Sequence, residues 1–315
     1  VFVALYLIGS SWLTWAEPAS PTIEKEGTIE CDIVEASPVV FNGKLLYFES
    51  VRPDYKHKAD GINECYFRFW DVARDRPLEP FAKGYHLGSA TVIGDYMYVF
   101  GVRTWGTDRV DVFWSHDLLE WKSMPALELP GFSIFNNSVC RADGRYVMAF
   151  EIDKPADEAG VPFTTRFAES TDLRSWKLLP SDCVYARDRY TACPSIRFLD
   201  GWFYMTYLEA KPGPVYETYI VRTRDLRSWE SSPNNPVLRA TPKDKNIASR
   251  RLTNEEKQRI AGAKNLNNSD FDFCESSGET LILYSWGNQQ GIEHLARARF
   301  KGPMDLFLKS FFPSP

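Results

Sequence analysis

Several residue types that can move protons recur at one place in the chain's rhythm. Counting the same number of residues back from the turn glycines Gly43, Gly94, Gly144, Gly201 and Gly278 gives Glu35, His86, Asn136, Cys193 and Asp270. A strand buried inside a β-domain would place apolar residues there, because an unpaired buried charge costs several kcal/mol. A polar ring at the mouth of a shared concavity is the economical reading. Following each glycine, the chain returns toward the same mouth and places Glu49, Arg52, Arg103, Glu151, Glu209 and the run Trp286-Gly-Asn288-Gln289-Gln290. Carboxylates, Arg, His, Asn and Trp on one concavity suit a sugar. A Trp face packs on a pyranose, and Arg or Asn binds hydroxyls. Splitting a glycosidic bond takes two carboxyl groups in different environments, one held protonated as acid and one ionised as base or nucleophile. The candidates are Glu151, Glu209, Asp270 and Glu35, with Asp272 one alternation step deeper. Arg52, His86, Arg103, Asn136, Asn137, Trp286, Asn288 and His294 are candidates for substrate binding.

The elements that must position these residues follow from two repeats. Ser115-His-Asp117-Leu118-Leu-Glu-Trp121, Ser170-Thr-Asp172-Leu173-Arg-Ser-Trp176 and Thr223-Arg-Asp225-Leu226-Arg-Ser-Trp229 are near-copies at nearly equal spacing. That period is too long for a helical solenoid unit and fits a four-stranded propeller blade with its connections. The Asp can take turn amides while Leu and Trp fill the space between blades, so the motif is structural. The five glycines, each followed by aromatic or β-branched residues, read as hairpins joining the innermost strand of a blade to the second. The expectation is an all-β, five-bladed β-propeller over about residues 30–312. The long interval between Gly201 and Gly278 leaves room for an insertion at about 240–266. Within it, Thr253-Asn-Glu-Glu256 is a capping box opening a short helix.

Composition narrows the function classes. The chain has 315 residues, is 44% hydrophobic and 15% aromatic, and carries a net charge of -5. It can bury a large core, and it lacks the basic footprint of a nucleic-acid binder. The six cysteines show neither a CxxC pair nor zinc spacing and read as buried thiols. Residues 1–20 resemble the remnant of a signal peptide, which implies a secreted or periplasmic protein with no membrane span in its mature form. No Gly-x-Ser-x-Gly elbow and no nucleotide-binding glycine motif is present. No cofactor is required by this chemistry. Asn267-Asn-Ser-Asp270-Phe-Asp272 offers oxygen ligands that would suit a structural calcium or magnesium ion in the central channel.

The Ser/Thr-x-Asp-Leu-x-x-Trp blade ends, the five turn glycines and Cys193-Pro194-Ser195-Ile196 together resemble the five-bladed propeller glycosidases of glycoside hydrolase family 43. The neoagarooligosaccharide hydrolases of family 117 are related. The resemblance implies an inverting hydrolase with an Asp base before a Pro in blade 1, a modulating Asp in blade 3 and a Glu acid two residues before a Pro in blade 4. This chain has Ser37, Asn136-Asn137 and Ala192 at those places. The family triad therefore does not carry over, and its carboxylates have either moved to the second-strand ends and Asp270 or been lost. Family 117, with a His as acid, makes His86 or His294 eligible for that role. The sequence thus points to an exo-acting glycoside hydrolase acting on plant or algal oligosaccharides. A non-catalytic carbohydrate-binding propeller is the alternative, and a protein-interaction propeller or a lyase lies further off.

Overall fold

The computed structural model describes residues 21–52, 64–213 and 215–312. The expected signal-peptide remnant at 1–20 lies outside the described residues. Four consecutive antiparallel units follow β1 (Glu24–Cys31). The first is β2 (Ile33–Phe41), β3 (Lys44–Val51), β4 (Tyr66–Asp71) and β5 (Arg76–Pro77). The second is β6 (His86–Ile93), β7 (Tyr96–Val102), β8 (Arg109–Ser115) and β9 (Lys122–Glu128). The third is β10 (Ser133–Ala142), β11 (Arg145–Lys154), β12 (Thr164–Ser170) and β13 (Lys177–Leu178), with the short α1 (Ala156–Ala159) between β11 and β12. The fourth is β14 (Thr191–Leu199), β15 (Trp202–Lys211), β16 (Val215–Thr223) and β17 (Trp229–Ser231).

The fifth blade is β18 (Asn267–Ser276), β19 (Glu279–Gly287), β20 (Glu293–Phe300) and, as its outermost strand, β1. The N-terminal strand thus closes the ring, and the propeller begins at Glu24, ahead of the expected residue 30. Pairing between the two ends of the chain ties the ring shut, and each blade keeps only its outermost strand as an edge.

Turn chemistry explains the hairpins and one irregularity. Asn42-Gly43, Asp143-Gly144, Asp200-Gly201 and Ser277-Gly278 all have positive φ at both positions, the geometry that matches strand twist. In the second blade Gly94 is the first turn residue, at φ 59°, and Asp95 follows it. A register counted from glycines therefore slips by one residue there.

Each repeated blade end works as the sequence suggests. The Asp117 carboxylate accepts from the Leu119 and Glu120 amides at 2.9 and 3.0 Å, Asp172 from Arg174 and Ser175 at 2.9 and 2.8 Å, and Asp225 from Arg227 and Ser228 at 2.9 and 2.7 Å. Those amides hold the Asp117 and Asp225 carboxyls down at about 2. Leu118 and Trp121 pack between the first and second blades, Leu173 and Trp176 between the second and third, and Leu226 and Trp229 between the third and fourth. The fourth and fifth blades lack such a plug. Their interface is filled instead by Ile260 of α2 (Asn254–Gly262) and by Phe307 and Leu308 of α3 (Met304–Ser310). The expected capping box opens α2, with Glu256 N–H donating to Thr253 Oγ1 and Thr253 N–H to Glu256 Oε2. Among the described residues no helix is long and apolar enough to cross a membrane, and all six cysteines are free.

Candidate active site

The innermost strands do not run straight into the mouth. Each breaks register with its neighbour at the same end: between Ile33 and Ala36, His86 and Ser89, Ile134 and Asn137, Ala192 and Ser195, and Ser269 and Asp272. Bulges of this kind re-aim side chains at a sheet end. Leu87, Cys193 and Asp270 take left-handed backbone conformations there, at φ 50°, 51° and 49°. Glu35, Asn136, Cys193 and Asp270 line a channel cavity of about 40 Å³. The second blade's place in this ring belongs to Leu87, because of the Gly94 turn. His86 is set one residue aside, fully buried at 6.2 Å from the Trp105 ring. Burial, reinforced by the Arg52 charge, pulls its imidazole down to about 4.

Glu151, on β11, reaches the ring from the second strand. It is 3% exposed. The Cys193 amide donates to its Oε2 at 2.9 Å and the Asn136 side-chain amide at 3.1 Å. Burial pushes the Glu151 carboxyl up to about 7. The two donors oppose that rise, and the negative charges of Asp270 and Glu35 add to it. Glu35 is held by Arg52, whose Nη2 lies 2.8 and 3.0 Å from its two oxygens. Asp270 accepts from Ser285 Oγ at 3.2 Å and from the Cys193 thiol. Burial and the neighbouring carboxylates raise that thiol well above its ordinary value. Cys193 is therefore a neutral donor and not a thiolate nucleophile.

One level deeper, Ser37, Ser89, Ser138, Ser195 and Asp272 line the channel. Asp272 accepts from Ser195 Oγ at 2.8 Å and from Arg197 Nη2 at 2.5 Å. Arg197 also donates to the Phe273 carbonyl at 2.6 Å and lies over its ring. This ion pair floors the mouth.

Several other candidates lie outside the cluster. Glu209 sits on β15 and accepts from Tyr207 OH at 2.9 Å. Glu49 is buried between Arg68 at 2.7 Å and Arg251 at 3.2 Å. Trp286 is fully buried, donates to Thr28 Oγ1 at 2.9 Å and packs against His294, also fully buried, at 4.9 Å. Burial pulls His294 down to about 4. Neither ring can serve as a platform for a sugar. Arg103 is exposed, with its guanidinium 5.7 Å from the Tyr85 ring. Asn137 stitches the second and third blades, accepting from Ser89 and donating to the Leu87 carbonyl. Asn288 accepts the amides of Gln290 and Ile292 in its own loop.

In the segment 267–272, expected to offer oxygen ligands to a calcium or magnesium ion, some of the side-chain atoms have protein partners. The Asn268 oxygen takes Lys25 Nζ, its nitrogen donates to Asp244, and Asp272 is committed to Arg197. Among the described residues no group of three or more His, Cys, Asp or Glu is disposed to hold a metal ion.

The reading from sequence passed over Trp105, Phe135, Phe163 and Tyr190. These rings run along the mouth with centroids 5.1 Å apart from Trp105 to Phe135, 5.1 Å to Phe163 and 5.8 Å to Tyr190. Their shared signal is position, since Phe163 and Tyr190 each immediately precede a strand that starts at this end.

The fold and the mouth together define a five-bladed propeller with a cluster of carboxylates at one end of its channel. The propeller fold is shared by solved structures of glycoside hydrolases. One described as a glycoside hydrolase is 16% identical with a TM-score of 0.62, over 90% of this chain and 93% of its own. An α-L-arabinofuranosidase from Podospora anserina, solved with cellotriose, is 9% identical with a TM-score of 0.64, over 91% and 98%. The catalytic domain of a glycoside hydrolase family 62 α-L-arabinofuranosidase from Coprinopsis cinerea is 10% identical with a TM-score of 0.63, over 90% and 98%. At these identities the likeness is one of fold. No family model and no curated protein matches the chain.

Proposed function

We propose that the protein is an exo-acting glycoside hydrolase that releases a terminal sugar from plant or algal oligosaccharides, with Glu151 as general acid and Asp270 as general base. The observation that carries this is Glu151 itself: a buried carboxyl raised to about 7, held by Asn136 and the Cys193 amide, two residues that line the channel cavity together with the carboxylates Glu35 and Asp270. A group poised near the working pH can give its proton to the departing glycosidic oxygen. Asp270, which accepts from the neutral Ser285 hydroxyl, is given the base role over Glu35, whose two oxygens are engaged by the Arg52 guanidinium. In the proposed step Asp270 takes a proton from water, the water oxygen bonds to the anomeric carbon, and the bond to the leaving oxygen breaks as Glu151 protonates it. The anomeric carbon inverts. Glu35 keeps the local field negative, which favours both the protonated acid and the oxocarbenium-like transition state.

The test is sugar release from a panel of plant and algal oligosaccharides, resolved by anion-exchange chromatography, with proton NMR of the first-formed anomer. One released monosaccharide from the native protein, lost in Glu151→Gln and Asp270→Asn, is the expected result. Thermal stabilisation by a glycan with no product would instead favour a binding propeller, the reading motivated by Ser37, Asn136-Asn137 and Ala192.

A further inference from the structure

Next to Asp270 the fifth blade buries a row of polar side chains that the bond-breaking step does not use. Asn267, Ser285 and Glu293 are fully buried and Ser269 is 1% exposed. Apolar residues would fill this space at lower cost, because every buried polar group must find a partner. Strand register explains how these four meet. Ser269 of β18 stands directly opposite Ser285 of β19, and Gly287 of β19 lies between Asn267 on one side and Glu293 of β20 on the other. A Cβ on Gly287 would come within 1.9 Å of the Ile292 carbonyl oxygen and 2.9 Å of the Glu293 carboxyl carbon. The bare glycine therefore lets the Glu293 side chain reach across β19 to Asn267.

Hydrogen bonding gives the row a direction. Glu293 Oε2 accepts from the Asn267 side-chain amide at 3.2 Å, which fixes the orientation of that amide. The same nitrogen donates to Ser269 Oγ at 3.2 Å, with the Gln289 side-chain amide as a second donor at 3.4 Å. Ser269 Oγ lies 2.7 Å from Ser285 Oγ, and Ser285 Oγ lies 3.2 Å from Asp270 Oδ2. A hydroxyl has one proton to give. With amide donors at one end and a carboxylate at the other, Ser269 donates to Ser285 and Ser285 donates to Asp270. In a regular strand Asp270 would face away from Ser269. The register break between Ser269 and Asp272 and the left-handed backbone at Asp270, φ 49°, bring its carboxylate to the end of the row.

We propose that Ser285 and Ser269, aligned by Asn267 and Glu293, are positioning residues for Asp270 that hold its carboxylate as an acceptor in one orientation toward the attacking water. This rests on the proposed hydrolase reading and adds to it what aims the base.

The experiment is steady-state kinetics of sugar release by Ser285→Ala, Ser269→Ala and the double variant, on a substrate that the native protein cleaves, beside thermal melts of each. Ser285→Ala should lower kcat about tenfold with KM unchanged, the effect of one lost hydrogen bond to a charged group. Ser269→Ala acts one step further back and should lower kcat about threefold. The double variant should match Ser285→Ala alone, because Ser269 acts only through Ser285. Ser285→Thr, which keeps the hydroxyl, should recover most of the rate. An unchanged kcat in Ser285→Ala with a lower melting temperature would make the row a structural tie and overturn the proposal while the hydrolase reading stands. Single losses that multiply to about thirtyfold in the double variant would do the same. A native protein that releases no sugar from any of the oligosaccharides would overturn both.

Discussion

Two buried carboxylates, Asp244 and Glu151, show how one side-chain chemistry serves opposite purposes. Asp244 lies in the insertion before the last blade and is fully buried. It accepts from Lys25 Nζ at 2.6 Å, Tyr284 OH at 2.8 Å, the Thr241 amide at 2.7 Å, and the side-chain amides of Asn265 and Asn268 at 2.8 and 3.3 Å. Its partners come from the closing strand β1, the insertion and the fifth blade, so it ties together the segments that complete the ring. Glu151 is almost as buried, yet both of its donors go to one oxygen and its charged neighbours are carboxylates. A carboxylate saturated with donors holds structure. A poorly satisfied one among like charges keeps its proton close to neutrality and is available for chemistry.

The sharpest way to break this comparison is to neutralise each group in turn. Glu151→Gln is expected to cut kcat by about 10²–10⁴-fold, the ordinary yield of a general acid, with no loss in thermal stability. Asp244→Ala is expected to do the reverse. It strands the buried Lys25 ammonium, whose pKa burial already depresses despite Asp244, and should cost about 3–5 kcal/mol in urea unfolding. Specific activity per folded molecule should be unchanged. If both variants lost the same property, the division between the two carboxylates would be false.

Titration sharpens it further. The folded-state value of Glu151, about 7, lies above its ordinary 4.5. Its contribution to stability is therefore complete below about 4.5 and is lost as pH rises through about 7. The same protonated form is the active acid, so kcat should fall along that alkaline limb. A pH series of thermal melts beside kcat checks both limbs, and in Glu151→Gln the stability slope across this window should vanish.

Much of this architecture is legible in the sequence because it is local. The Asp-Leu-x-x-Trp turns and the hairpin glycines each fix their own few residues, so five blades and three of their interfaces can be read without knowing any partner. What fails is non-local. β1 pairs with β20 at the opposite end of the chain, and nothing within Glu24–Cys31 names that partner. The count from the glycines lands on residues that line the channel cavity in four blades, Glu35, Asn136, Cys193 and Asp270, and slips in the second, where Gly94 leads its turn. Trp286 looks like a sugar platform by type and position, but on β19 it turns into the fifth blade's core. Glu151 was legible as a candidate. Its distinction from Glu209 was not, because that depends on the bulges in β10 and β14 that bring the Asn136 side chain and the Cys193 amide to one of them.

Smaller substitutions probe the edges of the cluster. Cys193→Ala removes the thiol that donates to Asp270 while keeping the backbone amide that holds Glu151. The expected cost is a loss in kcat of up to about tenfold, in keeping with one neutral hydrogen bond of ~0.5–1.5 kcal/mol. Recovery in Cys193→Ser would identify the donor, not the volume, as what matters.

Glu209→Gln should have the smallest effect. Its neighbourhood is Tyr207, Tyr185 and Lys211 on the fourth blade, and the charges acting on Glu151 are those of Asp270 and Glu35. An amide oxygen can still accept from Tyr207 OH, so kcat should stay within about twofold and stability within ~0.5 kcal/mol. Turnover lost in Glu209→Gln but kept in Glu151→Gln would move the acid to the outer rim of the fourth blade. Donor count and neighbouring charge, the two measures that separate Glu151 from Asp244, would then have picked the wrong carboxylate.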